Sequence, residues 1–220
     1  MSALFITGAG TEIGKTYVSC ALLEAWRAHG MACAALKPIV SGFDEALFAA
    51  SDPALLLAAQ GEAPTLDRVA AIAPWRFRAP LAPPLAAQLE GKSIDFDAVT
   101  EFCAGQMSAS AGALLIEGAG GVMAPLSERR TNIDLIEALD IPALFVAGSY
   151  LGAVSHALTG RTCLDVRGIE IAAVIVSESA ESAGLAETCA MIRTHRPGLR
   201  VIAASRGMRD WAQAVAAPSA

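Results

Sequence analysis

A glycine-rich stretch near the start of the chain constrains the fold more than any other feature. Residues 8–16 read GAGTEIGKT and lie between an apolar run that predicts a strand and an amphipathic run that predicts a helix. Glycines allow the backbone to curl so that its N–H groups point at phosphate oxygens, and the start of the helix adds positive potential there. The strict motif has glycine at position 9, where this chain has Ala9 after Gly8. The stretch therefore predicts a variant phosphate-binding loop.

Two side chains at the end of this loop supply the chemistry that a bound phosphate requires. Lys15 is expected to reach the terminal phosphates of a nucleotide, and the Thr16 hydroxyl is expected to bind Mg²⁺. The predicted nucleotide-binding residues of the loop and the helix start are Gly10, Thr11, Glu12, Ile13, Gly14, Lys15, Thr16 and Tyr17.

Short apolar runs alternate with amphipathic stretches along the rest of the chain. Strands are predicted at residues 3–7, 32–37, 113–117, 142–147, 169–176 and 199–203, and helices at 15–29, 52–60, 94–110, 132–139, 152–166 and 181–194. The strands are apolar on both faces, which is typical of a parallel sheet covered by helices on both sides. We therefore predict an α/β fold with a doubly wound, mostly parallel sheet of the P-loop NTPase type, in a single domain over residues 1–220. The proline-rich residues 74–84 are interpreted as an ordered loop over a site.

Composition excludes several classes of function. A net charge of -6 disfavours nucleic acid and anionic lipid as partners, so neither is expected. The five cysteines form no C-x-x-C pair and are interpreted as reduced thiols of a cytoplasmic protein. The N-terminal residues run directly into the first strand and the phosphate loop, so no signal peptide is expected.

Charged residues at strand ends and helix starts extend the predicted site. Glu117 ends an apolar strand and is followed by a cluster of glycines, which places a carboxylate in the ligand crevice of a doubly wound sheet. Lys37 ends the second strand and would point into the same crevice as Lys15. Asp52 is a weaker candidate, because Ser51, Asp52 and Pro53 also suit a plain helix start.

These pieces together resemble the dethiobiotin synthetase family. The matching motifs are Gly8 with TExGKT at residues 11–16, KPxxSG at 37–42, EGAGG at 117–121 and LGxxxH at 151–156. The resemblance implies a homodimer that uses ATP and Mg²⁺. It also implies that the chain converts 7,8-diaminopelargonate and CO₂ to dethiobiotin in biotin synthesis, through a carbamate that is phosphorylated and then closed into a ring.

The resemblance also implies roles for individual residues. Thr16, Asp52 and Glu117 would hold Mg²⁺, while Lys15 and Lys37 would flank the carbamate and the γ-phosphate, with Thr11 and Glu12 beside them in the catalytic loop. Ser41 would donate a hydrogen bond to the carbamate. The residues implied to bind the carboxylate of the partner subunit's substrate are Gly152, Ala153, Val154 and Ser155. The residues implied to contact the nucleotide beyond the loop are Glu117, Gly118, Gly120, Gly121 and Ser177.

The chain departs from the family pattern around the base and the substrate. Ser177, followed by Glu178, stands where family members commonly carry asparagine before an acidic residue, and the loop AASR at 203–206 lacks the usual proline. The segment LAPP at 81–84 replaces TSPH, and Ser155 replaces an asparagine. We therefore expect relaxed discrimination between nucleotide bases.

Two other functions use the same fold. One is another ATP-dependent amide-forming ligase, which usually carries a fused glutaminase domain. The other is a switch ATPase of the ParA/MinD class, whose loop has an additional lysine where this chain has Gly10. The acidic charge also disfavours the switch ATPase, because that class binds DNA or membranes.

Overall fold

The computed structural model describes residues 3–216. Its main sheet has six strands in the order β2-β5-β1-β6-β7-β8, and every neighbouring pair is parallel. The strands are β1 (Ala3–Gly8), β2 (Cys33–Leu36), β5 (Ala113–Glu117), β6 (Ala143–Ala147), β7 (Ile171–Ser177) and β8 (Val201–Ala204). Strands that are buried on both faces must be covered by helices on both sides. The apolar side chains of this sheet accordingly belong to two hydrophobic cores.

The helices form two layers, one on each face of the sheet. They are α1 (Lys15–Ala28), α2 (Asp52–Ala59), α3 (Leu66–Ile72), α4 (Pro83–Leu89), α5 (Phe96–Ala109), α6 (Asn132–Leu139), α7 (Ala153–Val166), α8 (Leu185–His195) and α9 (Trp211–Ala216). One core joins the sheet to α1, α2 and α9, and the other joins it to α4 through α8. This arrangement confirms the predicted doubly wound α/β fold.

A second, smaller sheet was not predicted from the sequence. It pairs β3 (Ile39–Ser41) with β4 (Trp75–Phe77) in parallel. The prediction of an ordered loop over residues 74–84 was therefore wrong in part, because β4 lies inside this range and α4 begins at Pro83. A 3₁₀ helix (Glu45–Ala50) and the helices α3 and α9 were also missed.

Helix α8 begins later than the predicted residue 181. Gly184 precedes it with φ of 109°, a backbone conformation that favours glycine, and the helix starts at Leu185. The other predicted helices and strands of the main sheet differ from the structure by two residues or fewer at each end.

The register of the sheet brings the predicted site residues to one edge. Ile6 on β1 lies opposite Glu117 on β5, and Leu36 on β2 lies opposite Ile116. The phosphate loop after β1, Lys37 after β2 and Glu117 at the end of β5 therefore meet at the carboxyl edge, where doubly wound sheets bind ligands. Within residues 3–216, no helix is long and apolar enough to cross a membrane.

Candidate functional site

The loop between β1 and α1 has the backbone of an anion-binding turn. Gly14 caps the helix with φ of 92°, and Glu12 also has a positive φ, of 58°. No side chain caps the helix start, so the N–H groups of its first turn are open to a ligand. The Lys15 ammonium donates to the Gly10 carbonyl at 2.7 Å and so folds back over the loop.

A buried carboxylate lies at the centre of the polar cluster beside this loop. Glu117 is fully buried, and its Oε1 accepts from the Thr16 hydroxyl at 2.8 Å and from the Lys37 ammonium. Its Oε2 accepts from the Ser19 hydroxyl at 2.6 Å. Lys37 also donates to Asp52 Oδ2 at 2.7 Å and thereby joins the two carboxylates. Strands and helices distant in sequence thus converge on one ionic network.

The network shifts the pKa of its members. Burial lowers the pKa of Lys15 to about 8, with repulsion from Lys37 as the next cause. Burial also opposes the charge of Lys37, but Glu117 and Asp52 outweigh it and raise the Lys37 pKa. Burial opposes ionisation of Asp52 as well, yet the Lys37 ammonium holds its pKa below the usual value. Lys37 is therefore held cationic, and Lys15 loses its proton at a lower pH than an ordinary lysine does.

A cavity of about 850 Å³ opens over this network. Its lining includes all four predicted catalytic residues, Thr11, Glu12, Lys15 and Lys37. It also includes Ser41, predicted to bind the substrate, and Thr16 and Asp52, predicted to hold the metal. Ser41 lines the cavity, and its buried hydroxyl has no hydrogen-bond partner among the described residues. Leu81, Ala82 and Pro83 also line this cavity, which agrees with the prediction that the proline-rich segment borders a site.

A second cavity of about 480 Å³ adjoins the first on the other side of the phosphate loop. Both cavities share Thr11, Glu12, Gly14 and Tyr17. The second is lined by Ser177, which is largely buried, and by Arg206. The Glu178 carboxylate accepts from the Arg206 backbone N–H at 2.8 Å and fixes the loop that carries it.

Some predicted residues lie away from both cavities. Gly152 and Ser155 are exposed at the start of α7, where Gly152 caps the helix with φ of 94° and no side-chain cap. Ala153 and Val154 lie between them in the first turn, and none of the four lines either of these two cavities. Their predicted role in a partner's site is therefore not tested by the single chain.

The loop after Glu117 is fixed by hydrogen bonds from Asn132, a residue that was not predicted from the sequence. The fully buried Asn132 amide donates to the Ala119 carbonyl at 2.6 Å and to the Gly121 carbonyl at 2.7 Å. Gly120 has φ of 72° and lines the large cavity, whereas Gly118 and Gly121, which were predicted to contact the nucleotide, line neither cavity. A single Asn after a polar turn belongs to no sequence motif, so its hydrogen bonds to this loop could not be predicted.

Ser19 is the second residue that was missed, and its signal was present in the sequence. It is a polar residue on the apolar, buried side of α1, between Val18 and Cys20. A buried hydroxyl requires a partner, and the structure supplies Glu117.

The donor set of the network suits a hard divalent cation. Among residues 3–216, no cluster of three or more His, Cys, Asp or Glu side chains has the spacing of a metal site. Two carboxylates, Asp52 and Glu117, lie with the Thr16 hydroxyl around Lys37. Mg²⁺ in nucleotide-binding enzymes typically takes one or two carboxylates and completes its coordination with water and substrate phosphates, so these oxygens fit Mg²⁺.

Comparisons with known proteins find one matching family model and several similar proteins. A family model described as an AAA domain matches residues 2–205. The ATP-dependent dethiobiotin synthetase BioD of Phenylobacterium zucineum (strain HLK1) is 47% identical over 219 residues, which cover 98% of this chain and 94% of that protein. The protein of the same name from Caulobacter sp. (strain K31) is 47% identical, with 96% and 90% covered. That of Methylobacterium nodulans is 48% identical, with 94% of each covered.

Solved structures show the same fold at low sequence identity. The MinC:MinD cell division protein complex of Aquifex aeolicus matches with a TM-score of 0.55 and 12% identity, covering 98% of this chain and 86% of that chain. The signal recognition particle receptor FtsY of Elizabethkingia anophelis matches with a TM-score of 0.55 and 13% identity, covering 96% and 61%. These likenesses concern the fold alone.

Proposed function

The chain belongs to the ATP-dependent dethiobiotin synthetases, and from that premise we propose how its residues carry out the reaction. The substrates are 7,8-diaminopelargonate, CO₂ and ATP, and the products are dethiobiotin, ADP and phosphate. The observation that carries this proposal is the cavity of about 850 Å³ that Lys15, Thr16, Lys37, Ser41 and Asp52 line together.

The reaction places negative charge between the two lysines. One amine of the substrate attacks the carbon of CO₂ and loses a proton, which gives a carbamate anion. Lys37 and the unpartnered Ser41 hydroxyl both line the cavity where this anion would lie. A preorganised ammonium in a site from which water is largely excluded stabilises such charge more than solvent does.

Phosphoryl transfer and ring closure follow in the same cavity. A carbamate oxygen attacks the γ-phosphorus and the bond to ADP breaks, which yields a mixed anhydride. The second amine then attacks the carbamoyl carbon, phosphate leaves, and the attacking nitrogen loses its proton. Lys15 and the open N–H groups at the start of α1 would hold the phosphates during transfer. Thr11 and Glu12 line the cavity beside them.

We propose that Thr16, Asp52 and Glu117 hold Mg²⁺ when the nucleotide is bound. The ion would neutralise phosphate charge there. The smaller cavity, with Ser177 and Arg206, is proposed to hold the nucleotide base, because it continues from the phosphate loop.

The exposed start of α7 is proposed to complete the site of a second copy. The N–H groups of an uncapped helix start attract carboxylates, and the substrate carries a carboxylate distant from its amines. We therefore propose a cytoplasmic homodimer of single-domain subunits in which Gly152, Ala153, Val154 and Ser155 bind the partner's substrate.

A turnover assay tests this function. The purified chain is incubated with diaminopelargonate, bicarbonate, Mg²⁺ and ATP, and the cyclised product is detected by mass spectrometry. We expect ADP formation to depend on the diamine and to match dethiobiotin formation one to one. ADP formation that continues without the diamine would favour a switch ATPase. Formation of an amide from glutamine or ammonia would favour another ligase.

A further inference from the structure

The partner of the Ser19 hydroxyl distinguishes it from ordinary helical hydroxyls. On other helices, several Ser and Thr side chains donate to the carbonyl four residues earlier. Examples are Thr100 to Phe96, Ser108 to Ala104, Thr162 to Leu158 and Thr194 to Ala190, at 2.8–3.0 Å. Ser19 instead donates across to Glu117, 98 residues away in sequence.

The contact fixes one side of a buried carboxylate. Among the described residues, Ser19 is the hydrogen-bond donor to Glu117 Oε2, whereas Thr16 and Lys37 both contact Oε1. Thr16 and Ser19 are one helical turn apart on α1, so their hydroxyls reach the same carboxylate from one side. Hydrogen bonds to an ionised carboxylate are short and strong, and the 2.6 Å distance agrees with this.

Ser19 itself cannot reach a ligand, because it is fully buried and lines neither cavity. We infer that Ser19 is a positioning residue that prevents rotation of the Glu117 carboxylate and so keeps Oε1 turned toward Thr16 and Lys37. Hydrogen-bond partners of metal ligands set the orientation and affinity of those ligands. The inference rests on the proposed function, since it assumes that Thr16 and Glu117 hold Mg²⁺.

Calorimetric titration of the full-length chain with ADP, once with excess Mg²⁺ and once with EDTA, tests the role of Ser19. We expect Ser19→Ala to weaken ADP binding in Mg²⁺ by about 10- to 100-fold, the loss typical when a partner of a metal ligand is removed. Binding in EDTA should remain unchanged, because the phosphate loop is intact. The half-saturating Mg²⁺ concentration for turnover should rise by a similar factor.

Thr188→Val is the matched control. It also removes a buried helical hydroxyl, but one that donates to the Gly184 carbonyl at 2.6 Å, away from the site. It should change neither titration. Ser19→Cys keeps a weak donor at the position and should lose less affinity than Ser19→Ala, and it carries the test if circular dichroism shows that the alanine variant does not fold.

Two results would overturn the inference. The first is equal ADP affinity of Ser19→Ala and the unmodified chain in Mg²⁺, and the second is an equal loss in Mg²⁺ and in EDTA. If the unmodified chain binds ADP equally well with and without Mg²⁺, the proposed metal site itself is wrong, and the role of Ser19 falls with it.

Discussion

Lys37 connects the two carboxylates of the site and also faces the cavity where substrate charge would develop. Its position after β2 was predicted from the sequence, and so was its approach to Lys15. Its ion pairs with Asp52 and Glu117 were not predicted, because they depend on the register of β2 and β5 and on the position of α2. Pairing between segments 80 residues apart leaves no local sequence signal.

We expect Lys37→Ala to lower kcat by about 10²-fold or more, the scale at which a preorganised electrostatic group acts. Lys15→Ala and Thr16→Ala should show losses of similar size. The control is Lys92→Ala, which removes an exposed lysine paired with Glu90 and should keep normal kcat. Steady-state kinetics with circular dichroism checks the expectation, and a folded Lys37→Ala enzyme with near-normal kcat would contradict it.

Ser177 carries a prediction about the nucleotide base. Its hydroxyl is a single directional group in the smaller cavity, whereas an asparagine amide would offer both a donor and an acceptor. Because each unmade hydrogen bond costs roughly 1 kcal/mol, we expect GTP or CTP to be used within about tenfold to a hundredfold of ATP in kcat/KM. Ser177→Ala should reduce any remaining preference for ATP by about fivefold.

The specificity constants of the three triphosphates at equal Mg²⁺ test this expectation. A preference for ATP above roughly a thousandfold would require about 4 kcal/mol, about four times the energy of one such bond, and the idea would then be wrong. Backbone groups near the loop that contains Ser205 and Arg206 would then be the source of base recognition.

At the level of helices and strands, the sequence predicted the long elements and missed the short ones. The strand at 113–117 and the helix at 132–139 agree with the structure at both ends. β3 and β4 have three residues each and pair with one another across the chain, so neither shows a periodic pattern of its own. Pro83, which was taken for part of a loop, is the first residue of α4, a position that suits proline.

The loop between β5 and α6 depends on glycines that have no room for a side chain. A Cβ on Gly118 would lie 2.7 Å from Asn132 Oδ1 and 2.9 Å from the Phe5 ring. Asn132 cannot move aside without losing its bonds to Ala119 and Gly121. We expect Gly118→Ala to lower the free energy of unfolding by about 1–3 kcal/mol, as overpacking of a core does.

Gly105→Ala is the control, for which the free energy of unfolding is expected to change in the opposite direction. Gly105 is exposed within α5, and a Cβ there would meet no atom within 4 Å. Alanine should therefore raise the free energy of unfolding by about 0.5–1 kcal/mol, because glycine in a helix interior is destabilising. Denaturant titration at one fixed protein concentration measures both changes, and a decrease of the same size for the two variants would refute the steric argument.

For the molecule as a whole, the fold alone would not have identified the function. The TM-scores to the MinC:MinD complex and to FtsY are equal, at 0.55. Because proteins of one fold can serve different functions, these scores do not distinguish between functions. The relatives at 46–48% identity identify the family, and the polar network at the carboxyl edge gives that family membership a physical basis.

Mixing two inactive variants tests whether the start of α7 serves a partner's site. Lys37→Ala removes the ammonium that is proposed to stabilise the carbamate in a chain's own cavity. Ser155→Asp places a carboxylate in the first turn of α7, where it suits the helix dipole but repels a substrate carboxylate.

If each site combines Lys37 of one chain with Ser155 of the other, a mixed dimer has one intact site and one site with both defects. Random pairing of equal amounts makes half of all dimers mixed, so we expect about a quarter of the unmodified activity. Light scattering should give twice the 22.6 kDa mass of one chain, and no recovery of activity after subunit exchange would show that each chain builds its site alone.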